Sequence, residues 1–251
     1  MWFGVVSLFP DIVQQYMRYG IIAKAHKNNI INTAYFNPRD YTHDKYHKVD
    51  DQPYGGGPGM LMKFKPLADA IEDALVHAPA KPKIIYLAPH GKQFNHQAAI
   101  SLSSLDSIIC ISGRYEGIDE RIVDKYVDDI YSIGDYVLSG GELGTMVMID
   151  AITRLQPNAL GDNDSAVQDS FANGLLDYPH YTRPQEIMDM KVPKVLVNGN
   201  HKCILRWRLK QSLGRTWLLR PDLLEDKSLN ESEIQLLNEY INEIKLAENS
   251  S

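Results

Sequence analysis

Over its first 155 positions this chain alternates short apolar runs with amphipathic stretches. Runs of β-rich character occupy Phe3 to Leu8, Ile30 to Phe36, Lys83 to Ala88, Ser107 to Ser112 and Asp129 to Ile133. Helical patterns fall between them at Asp11 to His26, Pro66 to His77, Asn95 to Leu105 and Asp119 to Val127, and one more follows at Glu142 to Leu155. Strands alternating with helices predict an α/β fold with a mainly parallel sheet covered on both faces. The pattern then breaks. Residues 157–174 are rich in Asn, Asp, Ser and Gly and read as a linker or mobile loop. A Pro-punctuated stretch (Tyr178-Pro179, Arg183-Pro184, Val192-Pro193) leads to two further helical patterns, near 200–212 and 230–247. The resulting division is an α/β domain over 1–160, a flexible linker over 161–176 and a small helical domain over 177–251.

Composition adds little to that picture except through charge. Apolar residues make up 44% and charged residues 23%, a soluble globular profile. The apolar start, Met1 to Pro10, lacks a basic flank and reads as a first strand rather than a signal peptide. The two cysteines, Cys110 and Cys203, lie far apart and suggest no disulfide framework, so a reducing cytoplasm is expected. Net charge is −6, yet no Asp or Glu occurs between Met190 and Pro221. That stretch holds eight Lys and Arg, leaving the remainder of the chain at −14. A basic segment on an acidic body is an electrostatic footprint for a polyanion.

Candidate chemistry gathers in glycine-rich loops. Residues 132–144 read Ser-Ile-Gly-Asp-Tyr-Val-Leu-Ser-Gly-Gly-Glu-Leu-Gly and join a strand to a helix. Glycines there let a ligand press against bare peptide groups. Gly113-Arg-Tyr-Glu-Gly117 and Tyr86-Leu-Ala-Pro89 follow two other parallel strands, and three loops at strand carboxyl ends together predict a pocket. Tyr54-Gly-Gly-Gly-Pro-Gly-Met60 fits neither dinucleotide nor P-loop patterns; it reads as a flexible loop or as a wall for a flat ligand. A nicotinamide-dependent oxidoreductase would want G-x-G-x-x-G after the first strand, where Leu8-Phe9-Pro10-Asp11 stands instead. A silent RNA-binding protein would leave the three loops unexplained. His43, Asp44, His47 and Asp50 are neighbours in sequence, but no second ligand set completes a metal site.

Four segments, Ile133 to Glu142, Gly113 to Arg121, Tyr54 to Met60 and Val167 to Phe171, together closely resemble the bacterial tRNA (guanosine-37-N1)-methyltransferase family of the SPOUT superfamily. The resemblance runs from Trp2 to about Gly214. It implies a deep trefoil knot forming the cofactor site, which no periodicity argument predicts. It further implies S-adenosylmethionine as cofactor, magnesium associated with catalysis, tRNA as partner, and an obligate homodimer whose active sites are shared between subunits. The cofactor residues so implied are Tyr86, Leu87, Pro89, Gly113, Glu116, Ser132, Ile133, Gly134, Asp135, Tyr136, Val137, Leu138, Gly140 and Gly141. Asp50, Tyr54, Gly59, Ser170, Asp177, Arg206, Arg208, Lys210 and Arg215 would meet the tRNA.

The implied chemistry suits these residue types. Guanine N1 carries a proton and attacks poorly until it leaves, so a base is needed, together with a group stabilising charge on O6. The resemblance makes Asp169 that base and Arg154 that stabiliser; alone, Asp169 would read as a solvated linker residue or helix cap, and Arg154 as a cation at a helix C-terminus. Glu116 and Asp177 would stand near the sulfonium and amino groups of the cofactor.

Overall fold

A computed structural model describes residues 1–160, 169–225 and 227–248. The chain divides into two units, Met1–Asn163 and Asp164–Ser251.

In the first unit, strands β1 (Trp2–Val6), β2 (Asn32–Phe36), β5 (Lys83–Gln93), β6 (Ser107–Ser112) and β7 (Asp129–Ser132) form one parallel sheet in the order β2-β1-β6-β5-β7. Helices α1 (Pro10–Tyr16), α2 (Gly20–Lys27), α3 (Phe64–His77), α4 (His96–Ser103), α5 (Glu120–Tyr126) and α6 (Glu142–Arg154) cover it. Two-residue strands β3 (Asp50–Asp51) and β4 (Leu61–Met62) pair across the Tyr54–Met60 loop.

Alternate side chains of each central strand point to opposite faces, and both faces are buried. Trp2 and Val6, Ile84 and Tyr86, and Ile109 and Ile111 pack with Leu67 and Ile71 of α3 and Ile122 of α5. Phe3 and Val5, Ile85 and Leu87, and Ile108 and Cys110 pack on the other side with Val13, Ile22, Leu102, Met148, Ile149 and Ile152. A near-continuous apolar run such as Ser107–Ser112, buried throughout, is what a parallel strand covered on both faces requires.

Two expectations change. The helix predicted over Asp11 to His26 is broken into α1 and α2. Helix α1 ends at Tyr16, and α2 begins at Gly20, whose left-handed φ of +63° turns the chain into the second segment. Strand β5 also continues past Ala88. Its register with β7 shifts between Leu87 and Lys92, so residues 88–91 bulge out before pairing resumes.

The second unit is helical: α7 (Lys194–Val197), α8 (His201–Leu219), α9 (Asp222–Glu225) and α10 (Glu231–Glu248), with a small antiparallel ladder of β8 (Glu186–Ile187) and β9 (Met190–Lys191). Helix α8 runs seven residues beyond the predicted Ser212. Gly214 does not end it; a Cβ there would overlap the Tyr240 ring of α10, so the glycine permits close helix packing. The core is Leu175, Leu213 and Leu236 with surrounding leucines. The expected linker, 161–176, lies outside the described residues up to 168; beyond it, Leu175 belongs to this core and Leu176 N–H donates to Thr216 Oγ1. Among the described residues, no helix is long and apolar enough to cross a membrane.

Candidate functional site

The carboxyl ends of β6, β5 and β7, three adjacent strands, open onto one cavity of about 210 Å³. Crevices at this end of a parallel sheet are where α/β folds bind ligands. Among the described residues, the lining comes from the first unit. From β5 and its bulge come Tyr86, Leu87, Ala88 and Pro89, and from the turn after β6 come Gly113 to Gly117. Tyr131 to Gly134, Tyr136 to Leu138, Gly140, Gly141 and Gly144 complete the wall.

Thirteen of the fourteen residues expected at a cofactor site therefore face this cavity; exposed Asp135 is the one outside its lining. Beyond those, Ala88, Arg114, Tyr115, Gly117, Tyr131 and Gly144 line it too, and of these only Tyr131 lies outside the three loops read from sequence. Tyr131 sits inside the β7 run, which the sequence pattern marked only as a strand.

Close backbone approach shapes the cavity. The segment leaving β7 returns to the end of β6, where Gly141 N–H donates to Gly113 C=O at 2.9 Å and Arg114 bridges Gly140. A side chain at Gly141 would come within 2.8 Å of Ser112 Cα, so only glycine fits without moving backbone. Tyr115 holds φ at +63°, a left-handed conformation unfavourable for a bulky residue and concentrated at functional sites. Burial pushes the Tyr86 phenol above its ordinary pKa, so it stays a neutral donor at the cavity wall.

The Tyr54–Met60 loop packs beside this wall. Glu116 N–H donates to Met60 C=O at 3.0 Å, and Met62 N–H to Gly117 C=O at 2.9 Å. Gly59 lies against the Glu116 side chain, while Tyr54 is fully exposed and Asp50 half-buried.

The remaining candidates belong to both units, each described by itself. Arg154 is the last residue of α6 and half-buried. In the second unit Ser170 Oγ accepts from Asp177 N–H at 2.9 Å, and Asp177 Oδ2 lies 2.8 Å from His180 Nε2. Asp169 is half-buried at the start of that described stretch, while Val167 and Gln168 lie outside the described residues. Among the described residues no three His, Cys, Asp or Glu gather as metal ligands.

The basic segment is less free than its sequence suggests. Arg206 pairs with Glu239 at 2.6 Å and Lys210 with Glu243 at 2.6 Å, both carboxylates coming from α10. Arg220 pairs with Asp222 and Lys191 with Glu186. The Arg208 guanidinium stacks 4.7 Å from the Tyr178 ring centre. Among the described residues, Lys194, Lys202 and Arg215 have no ion-pair partner.

The sequence profile of the family described as tRNA (Guanine-1)-methyltransferase TrmD matches residues 1–226. A Pseudomonas fluorescens protein named tRNA (guanine-N(1)-)-methyltransferase is 56% identical over 239 residues, covering 95% of this chain and 96% of its own length. A Vibrio atlanticus protein of the same name is 53% identical over 243 residues, covering 97% of this chain and 99% of its own. One from Chromohalobacter salexigens is 51% identical over 255 residues, covering 99% and 96%. The chain belongs to the tRNA (guanine-1)-methyltransferase TrmD family.

Proposed function

We propose that this protein transfers a methyl group from S-adenosylmethionine to N1 of a guanosine in tRNA, guanosine 37 beside the anticodon. The observation that carries the reading is the convergence of thirteen expected residues on one cavity at three adjacent strand ends. The cavity suits such a cofactor. Leu87, Ile133, Val137 and Leu138 offer apolar surface for a flat base, and glycine peptide groups offer edge donors and acceptors. Glu116 supplies a carboxylate on the same wall for a cationic group.

S-adenosylmethionine supplies an electrophilic methyl group on a positively charged sulfur. The chain's part is to prepare the nucleophile. Asp169 accepts the N1 proton as the N1–methyl bond forms, and Arg154 offsets the charge that builds on O6. Lys194, Lys202 and Arg215 of the second unit would meet phosphates, with Arg206, Arg208 and Lys210 beside them. Such contacts position tRNA without reading its bases. Magnesium keeps most of its waters and needs only one or two carboxylates, so no ligand set is assigned to it.

Two architectural features belong to the same reading. The return of 133–141 to the end of β6 is the segment that would thread the trefoil knot of the SPOUT superfamily. Ile12 of α1 and Leu143 and Val147 of α6, with Phe9, leave an apolar patch exposed. A second copy would cover it and present its own Asp169 to this cavity. The direct test mixes two inactive proteins, Asp169→Ala and Gly141→Leu. Recovered methyl transfer from labelled S-adenosylmethionine to tRNA is expected, because mixed dimers hold one intact site. No recovery in verified mixed dimers would place Asp169 and the cavity in the same subunit.

A further inference from the structure

The cavity's two walls are joined by an ion pair whose carboxylate is buried. Glu142, the first residue of α6, is 1% exposed, in the position where a negative charge favours the helix N-terminus. Arg114 Nε lies 3.1 Å from its Oε1 and 2.9 Å from its Oε2. Ser7, just after β1, donates to Oε1 at 2.6 Å. The other end of the same guanidinium donates to Ser139 C=O at 3.1 Å, and its face lies 4.6 Å from the Phe9 ring centre. One Arg side chain thus grips the start of α6, the loop leading to it and the turn that carries it.

Gly140 lies between the partners. A Cβ there would overlap Arg114 Nε and crowd Glu142 Oε2, so the pair occupies the space a side chain would take. Arg is suited to this place because its planar fork reaches two acceptors at once, which a Lys ammonium cannot reproduce.

We propose that Arg114 and Glu142 form a positioning clamp that sets the spacing between the 113–117 and 132–141 walls and so governs affinity for the methyl donor. The clamp rests on the methyltransferase reading. It acts through the loops on ground-state binding, and takes no part at the reacting atoms.

Donor binding measured by calorimetry, beside steady-state kinetics, tests this. Arg114→Lys keeps the buried carboxylate paired but loses the fork. It should weaken S-adenosylmethionine binding about tenfold and raise its KM equally, with kcat within about twofold. Ser7→Ala removes a donor to Glu142 from a residue outside the cavity lining, and should weaken binding about threefold in the same manner. Should Arg114→Lys fail to fold, Glu142→Gln weakens the pair from a residue outside the cavity lining, and the same KM effect is expected. Wild-type affinity in both Ser7→Ala and Glu142→Gln, or a fall in kcat at unchanged KM, would overturn the clamp. A wild-type protein that binds no S-adenosylmethionine would instead overturn the methyltransferase reading.

Discussion

The strand-end cavity and the basic helix α8 are built from opposite kinds of information. The cavity is made of loops whose glycines, strands and spacing are local, and thirteen of fourteen residues expected there line it. The charges of α8 are just as conspicuous in sequence, but their partners are not. Glu239 and Glu243 lie 33 residues from Arg206 and Lys210 and pair with two of the four cations of that helix expected to meet tRNA. A charge run states what a segment carries; only the fold states what faces it.

Removing Asp169 gives the largest expected effect. Asp169→Ala should lower turnover on tRNA by roughly 10²- to 10⁴-fold while leaving S-adenosylmethionine binding unchanged, since a general base acts on the nucleophile. Near-normal turnover would remove Asp169 from that role.

Gly141→Ala tests the cavity half of the comparison. Its Cβ would meet Ser112 backbone at 2.8 Å, so denaturant unfolding should show a loss of about 1–3 kcal/mol. Wild-type stability and donor affinity together would mean that the close approach is not required.

The α8 half is tested by Glu239→Gln with Glu243→Gln. Freed Arg206 and Lys210 should tighten tRNA binding several-fold at low salt and steepen its salt dependence, each added phosphate contact contributing about −0.7 to the slope for single strands. An unchanged slope would mean that the two cations never reach phosphate. Weaker binding would mean that α10 holds them in their working position.

A smaller effect concerns the sheet edge. Burial would raise the Asp129 carboxyl, but Lys83 and Lys92, at 2.7 and 2.5 Å, hold it below the usual carboxylate range. A depressed folded pKa stabilises above the unfolded value near 3.9 and loses that contribution as pH falls through the folded value. Asp129→Asn should remove at most about 1 kcal/mol near neutral pH and flatten stability against pH below about 4. Acid unfolding curves parallel to wild type would contradict the pairing.

What could be read from sequence follows the same division. The five-stranded pattern was legible because a strand buried on both faces must be apolar along its length, as Ser107–Ser112 is. The cavity was legible because turns at strand ends are local. The break at Gly20 was hidden because the apolar spacing continues across it, and only the positive φ reveals the turn. The Arg114–Glu142 clamp joins residues 28 apart through Ser7 on a third segment, which no spacing rule anticipates.

The cavity is proposed to serve methylation of one ring nitrogen in tRNA. Mass spectrometry of nucleosides from tRNA incubated with the protein and S-adenosylmethionine tests it most directly. The expected result is N1-methylguanosine at position 37, absent when another base replaces that guanosine. Methyl groups on other atoms or positions, or none with folded protein and cofactor present, would contradict it.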